Sequence, residues 1–435
     1  MSGRRRSRPG AIACVLLVAA LGASAAGRVR AQSATLAAFD EVWQTINDTF
    51  YDPSFGGLDW AGVRRDLRPR VEHAATDADG RAVIRELLAR LGQSHFALLG
   101  PSADGDAPRG DATVPITIRP AGDAMLVVAV EAGATTAATS LTPGDRLIAI
   151  DGRTVADIVA QVNAPGDRMR ALLAWRRVTN ALSGADGTRA HLRVRAPSGD
   201  ERIVDVARAV EDGVPVAFGN LPMMRVRFDA QERHTASGRR VGAIAFNLWM
   251  PAVAEPFASA IDRFRSADGL VIDLRGNPGG LADMMRGIAG HIVSEPLVIG
   301  RMHTRTAELE FRANPRRSTS DGRRVEPFAG PVAVLVDGLT GSTSECFAGG
   351  LQSLGRVRVF GTTTMGQALP ASTKTLSNGD VLMYAIGDFA TSTGVRLEGR
   401  GVVPDEVVPL EPAALAAGHD AMAAALEWLD RAPTH

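Results

Sequence analysis

Gly269-Leu-Val-Ile-Asp273-Leu-Arg275-Gly276-Asn277-Pro278-Gly279-Gly280 is a short apolar run that ends in a polar, glycine-rich turn. A strand that reads as continuously apolar, without alternation, is covered on both faces, as in a parallel sheet flanked by helices. The two terminal glycines allow a turn whose backbone N–H groups face a ligand. Taken alone, the same pattern also fits an ordinary strand-to-helix turn. The neighbouring sequence repeats the logic. Val241–Phe246 and Pro331–Val336 predict strands, Pro251–Arg265 a helix, Ser344–Leu354 a second helix, and Val357–Phe360 a further strand. Residues 215–435 are therefore expected to form an αβ core with parallel pairing.

Upstream the periodicity changes. Phe39, Val42, Trp43, Ile46 and Phe50 recur at helical steps. Arg81–Leu91 also reads as a helix, and Asp66–Glu72 as one weakened by Pro69. Residues 33–108 are expected to be a helical domain, closed by the small polar segment Ala103–Ala107. Residues 111–210 carry short β-rich runs at Val114–Ile118, Leu126–Val130, Arg146–Ile150, Ala190–Val194 and Arg202–Val206. Within them, Leu141-Thr-Pro-Gly-Asp-Arg-Leu-Ile-Ala-Ile-Asp-Gly152 resembles the signature of a PDZ domain. Such domains add an extended peptide to a sheet edge. The usual glycine-rich carboxylate loop is not evident before Pro115, so a β spacer that binds nothing is the competing reading.

The N-terminus reads as an export signal. Four arginines lie between Arg4 and Arg8, an apolar run extends from Ala11 to about Leu21, and Ala23-Ser24-Ala25 fits a cleavage site. Val29-Arg30-Ala31 is a second possible site, so residues 1–31 are assigned to a signal peptide. The run is short for a membrane span of ~20 residues, so no stable span is expected after its removal.

Composition excludes other classes. The 435 residues carry 48 basic and 48 acidic side chains, which leaves no global field for nucleic acid. Beyond Cys14 in the signal, Cys346 is the one remaining thiol, so no disulfide or thiolate-rich metal site is expected. Eight histidines are scattered without an HExxH pattern; no metal or cofactor is assigned.

Four motifs carry chemistry. Gly341-Ser342-Thr343-Ser344-Glu345 opens a helix after a strand, a place where free N–H groups and the helix dipole stabilise an oxyanion, or where a serine merely caps. Asp273–Gly280 is the glycine turn already described. Gly92-Gln93-Ser94-His95 places a serine beside a histidine. Leu397-Glu398-Gly399-Arg400-Gly401-Val402-Val403-Pro404-Asp405 reads alone as a charged turn.

Together, in this order, these motifs resemble the C-terminal processing, or tail-specific, serine proteases, over most of the chain after the signal. The resemblance implies a multidomain α/β protein: a helical segment, a PDZ-like domain and a ClpP/crotonase-like protease core. One position departs. Most such proteases use a Ser-Lys dyad with the lysine 25 residues past the serine; here that position is Gln367, and the sole lysine of the chain is Lys374. A glutamine cannot act as a base. The tricorn-type subgroup instead uses Ser, His, a second Ser and Glu, and its motifs resemble Gly92–His95 and Glu398–Asp405.

The resemblance thus implies Ser342 as nucleophile, His95 as base, and Ser94 and Glu398 as its supports. Thr343 and Gly279, with Gly280 next in line, would be oxyanion donors, and Gln367 a substrate contact. Cys346 reads as a packing residue further along the helix. The expected activity is that of an exported, periplasmic or extracellular endopeptidase acting on proteins or peptides through an acyl-enzyme. The alternatives are a non-catalytic peptide or apolar-ligand binder on the same scaffold, and an acyl-transfer or CoA enzyme of crotonase-like topology.

Overall fold

The computed structural model describes residues 34–433 apart from 101–109, 132–133, 135–137, 161, 163, 165, 218 and 220–222. The signal read over 1–31 and the boundary at Ala103–Ala107 lie outside the described residues. The chain divides into two compact units: residues up to Ala103 together with Ala371–Ile386, and Asp104–Pro370 together with Gly387–His435.

In the first unit, helices span 34–49, Trp60–Glu72 and Asp77–Ala89. Asp59 and Thr76 start the second and third by accepting from the N–H groups of Gly62 and Asp79, which satisfies otherwise orphaned donors. The helix Trp60–Glu72 runs through Pro69, because the proline falls in its last turn and removes one hydrogen bond. Phe39, Val42, Ile46 and Phe50 are buried as their spacing predicts, against Trp60, Leu67, Ile84 and Leu87. Strand Ala97–Leu99 pairs antiparallel with Val381–Ala385, which pairs with Ala371–Thr375. A hairpin that the sequence places inside the core thus folds with the N-terminal helices, burying Leu376 and Leu382 in their cluster. Arg81 Nε meets the fully buried Asp380 carboxylate at 2.8 Å.

In the second unit, strands Ile116–Ala121, Ala124–Val130, Arg146–Ile150, Arg189–Arg195 and Glu201–Ala207 form an antiparallel sheet. A helix, Asp167–Leu182, packs against it, with Val178, Ala181 and Leu182 buried. This helix is not expected from the sequence: its apolar run Ala171–Trp175 is flanked by four arginines, and only Val178, Ala181 and Leu182 are buried.

The core of this unit is a six-stranded sheet whose spatial order follows the chain. Its strands are β1 (Phe228–His234), β2 (Arg240–Phe246), β3 (Gly269–Asp273), β4 (Val332–Val336), β5 (Arg358–Gly361) and β6 (Glu406–Val407). Only β1 pairs antiparallel; β2 to β6 are parallel neighbours. One face packs Trp249, Phe257, Phe264 and Phe347. The other packs Val241, Val271, Leu335 and Phe360 against Ala421, Ala425 and Leu429 of the helix Ala421–Arg431. Both faces are therefore dry, which is why β3 and β4 read as unbroken apolar runs. Full burial of each such aromatic contributes about 2–3 kcal/mol. The result is a mixed α/β fold. Among the described residues, no helix is long and apolar enough to cross a membrane.

Candidate active site

Three loops leave the carboxyl ends of β3, β4 and β5 and meet at Ser342, the location where open α/β sheets place their ligands. Ser342 stands before the helix Thr343–Ser353 with φ 53° and ψ −122°. A side-chain-bearing residue at positive φ is strained by about 1–3 kcal/mol and persists only where its surroundings hold it. They do so here. Ser342 N–H donates to Gln367 O at 2.8 Å and to Glu345 Oε2 at 3.1 Å, while Gly341 N–H donates to Asn277 O at 3.0 Å.

Glu345 is buried among donors. Its carboxylate accepts from the N–H groups of Gly366 at 2.6 Å and Gln367 at 2.9 Å, and from Thr364 Oγ1, besides Ser342. Burial pushes its carboxyl up to about 7, against the pull of those four donors. The sequence reading quoted Glu345 but gave it no role; the Ser-x-x-Glu spacing of a capping box was the available signal. Asp337 was also missed. It accepts from Gly276 N–H and Leu339 N–H at 2.9 Å and from Arg119 Nε at 2.6 Å, tying the glycine turn and the serine loop together. Burial works against its ionisation, yet Arg119 and these N–H groups hold it below the usual carboxylate range.

The glycine turn lies directly on the serine. A Cβ built on Gly279 (φ 106°) would stand 2.6 Å from Ser342 Cβ and 3.0 Å from Thr343 N. The Gly279 N–H, expected as an oxyanion donor, is instead committed to Asn277 Oδ1 at 2.9 Å. Asn277 is itself anchored by its Nδ2 on Phe246 O at 2.8 Å. Among the described residues, the N–H groups of Gly280 and Thr343 have no acceptor, and Thr343 Oγ1 ties the two segments by donating to Gly280 O at 2.8 Å.

Gln367 meets Ser342 through its main chain; its side-chain nitrogen lies 4.0 Å from Met169 Sδ. The loop around it is pinned to the Glu398 turn. Ala368 N–H donates to Glu398 Oε2 at 2.9 Å, Gly399 N–H to Gly366 O at 2.9 Å, and Val402 N–H to Thr364 Oγ1 at 2.7 Å. Glu398 thus sits one residue from Gln367 in the same unit as Ser342. Cys346 is buried and, with Ser342, Met285, Phe311, Leu369 and Phe389, lines an apolar cavity of about 20 Å³. Burial raises its thiol well above the ordinary value, with Glu345 adding to the effect. It is a packing residue as read, but it forms a wall beside the serine.

Ser94 and His95 lie in the first unit. Ser94 Oγ is 2.8 Å from His95 Nδ1, which leaves Nε2 for another partner. His95 has φ 61°, and burial pushes its imidazolium down to about 4. The sole lysine, Lys374, pairs with Glu41 at 3.0 Å and Thr45 at 3.1 Å in that unit. Among the described residues, no group of three His, Cys, Asp or Glu side chains forms a metal site.

Residues 240–408 match peptidase family S41, and residues 36–89 match the tricorn protease C1 domain. The chain is 27% identical over 384 residues to a Synechocystis protein named carboxyl-terminal-processing protease, covering 85% of this chain and 79% of that one. Among solved structures, it resembles a photosystem II D1 C-terminal processing protease with a TM-score of 0.57 at 20% identity, covering 88% of this chain and 98% of that one. It also resembles mature CPAF, with a TM-score of 0.60 at 15% identity over 92% and 96% of the two chains. At these identities the structural likeness speaks to fold. The peptidase family S41 match over residues 240–408, with the processing-protease relative, marks the chain as a serine-type peptidase.

Proposed function

We propose that this chain is an exported endopeptidase that cuts protein or peptide substrates, near their C-termini, through an acyl-enzyme on Ser342. The observation that carries the reading is the setting of Ser342. It is held at positive φ, and among the described residues the Gly280 and Thr343 N–H groups beside it have no acceptor. Ser342 Oγ attacks the scissile carbonyl, and His95 Nε2 takes the proton. The Gly280 and Thr343 N–H groups hold the oxyanion, with Gly280 in the place first given to Gly279. The C–N bond then breaks as His95 returns the proton to the leaving amine, and water hydrolyses the ester by the same route reversed. Ser94 accepting from Nδ1–H keeps Nε2 free as the base, and Glu398 stabilises the cation that forms. This reading requires His95 to reach Ser342 in the working enzyme.

The preference for C-terminal regions follows the names of the relatives. The domain assignment proposed is signal 1–31, helical domain 33–108, PDZ-like domain 111–210 and protease core 215–435, less the Ala371–Ile386 hairpin, which belongs with the helical domain. The PDZ-like domain would present an extended substrate segment, and the signal would deliver the enzyme to the periplasm or beyond. The test is hydrolysis of an unstructured protein by the purified chain. Cleavage abolished by Ser342→Ala supports the reading, and cleavage unchanged by it refutes it. N-terminal sequencing from the native host should find a start near Ala26 or Gln32 outside the cytoplasm; an intact Met1 on a cytosolic protein would refute export.

A further inference from the structure

Glu345 is a buried carboxylate bonded on both oxygens at this site, and the mechanism above does not use it. Its two oxygens receive four donors from three places: the nucleophile's own N–H, the Thr364 hydroxyl, and the N–H groups of Gly366 and Gln367. The Thr364 hydroxyl in turn accepts from Val402 N–H, which extends the clamp to the Glu398 turn. Thr364 and Glu345 are fully buried. No water competes there, and an unmet donor would keep its full desolvation cost.

We propose that Glu345 is a positioning residue for peptide-bond hydrolysis: its carboxylate fixes the positive-φ geometry of Ser342 and locks the 364–367 loop, and with it Glu398, against the nucleophile. The inference rests on the reading of Ser342 as nucleophile. A helix cap alone would need only the Ser342 N–H. The three further donors come from a loop about twenty residues away in sequence, and a cap has no use for them. The strained dihedral of Ser342 needs an outside clamp, and Glu345 provides it together with the Gln367 carbonyl.

The experiment compares Glu345→Gln with the wild type and Ser342→Ala. Glutamine keeps one acceptor oxygen and turns an NH₂ toward donors, so half the clamp becomes N–H against N–H. A displacement of the order of an ångström at the nucleophile predicts a loss of kcat of about 10- to 100-fold, with KM within about threefold of wild type, since substrate contacts are untouched. Amide hydrogen exchange should show lost protection at Gly366 and Gln367. Wild-type kcat in Glu345→Gln, a loss carried by KM alone, or unchanged exchange at those amides would overturn the inference. If the wild type and Ser342→Ala are equally inactive, the nucleophile reading has failed, and the exchange data still decide whether Glu345 orders the loop. If Glu345→Gln does not fold, Thr364→Val removes one donor at nearly constant volume. It should reproduce the kcat-specific loss at smaller size, and wild-type kcat in it would overturn the inference.

Discussion

The Ser342 N–H donates to the main-chain carbonyl of Gln367 at 2.8 Å, while the Gln367 side chain turns toward Met169. The position 25 residues past Ser342 is therefore beside it in space, and a glutamine there offers no base.

Gln367→Lys tests that position. An ammonium must fall from about 10.4 toward neutrality before it can accept a proton. The Glu398 carboxylate, bonded to the next residue's N–H, favours the charged form instead. Gln367→Lys should lower turnover in the wild-type background and fail to rescue His95→Ala. A double variant with substantial activity and an alkaline-shifted profile would mean that the site works as a Ser-Lys site.

Gly279→Ala places a methyl 2.6 Å from Ser342 Cβ at φ 106°. Strain at such a backbone position costs about 1–3 kcal/mol, and the displaced part is the nucleophile. Activity should fall by about 10²-fold or more, with a lowered Tm. Retained activity would place the serine elsewhere than this structure has it.

The pH response should carry two steps. The Glu345 carboxylate accepts all four donors only when ionised, so kcat should fall first as pH drops through about 7. His95 must be neutral to act as a base, so a second fall should come near 4. Stability follows a different sum. Burial lowers His95 and His291 from 6.5 to about 4, so their contribution is present above 6.5 and lost as pH falls through about 4. Burial raises Glu345 from 4.5 to about 7, so its contribution is present below 4.5 and lost as pH rises through about 7. Glu345→Gln should remove the step near 7 from the kcat profile. A single step near 6.5, unmoved by that substitution, contradicts these assignments.

The cavity beside Ser342 has room for little more than a methyl group. Peptides with alanine on the N-terminal side of the cut should have higher kcat/KM than those with leucine or phenylalanine. Cys346→Gly should narrow the gap by roughly 10-fold, the scale of a methylene or two in an apolar pocket. No change in the ratio would exclude this cavity as the side-chain pocket.

The core was legible because β3 and β4 are dry on both faces, which leaves an unbroken apolar run in the sequence. The Ser342 and Gly279–Gly280 turns were legible because their backbone geometry demands particular residue types. The hairpin Ala371–Thr375 and Val381–Ala385 was not, since its partner, Ala97–Leu99, lies far away in sequence. The choice between Gly279 and Gly280 as oxyanion donor was hidden for a similar reason. It turns on which N–H the Asn277 side chain occupies, and nothing in the local pattern says so. Glu345 was visible as a capping residue, but its three remaining donors come from the Thr364–Gln367 loop.

The central claim is that His95, and no lysine, is the base for Ser342. It is tested most directly by the initial rate of peptide hydrolysis in His95→Ala beside Ser342→Ala and Lys374→Ala. Members of one catalytic unit fail together, so His95→Ala should fall to the level of Ser342→Ala. Lys374→Ala, whose ammonium is paired with Glu41 and Thr45, should stay near wild type. An active His95→Ala alongside an inactive Lys374→Ala would contradict the account.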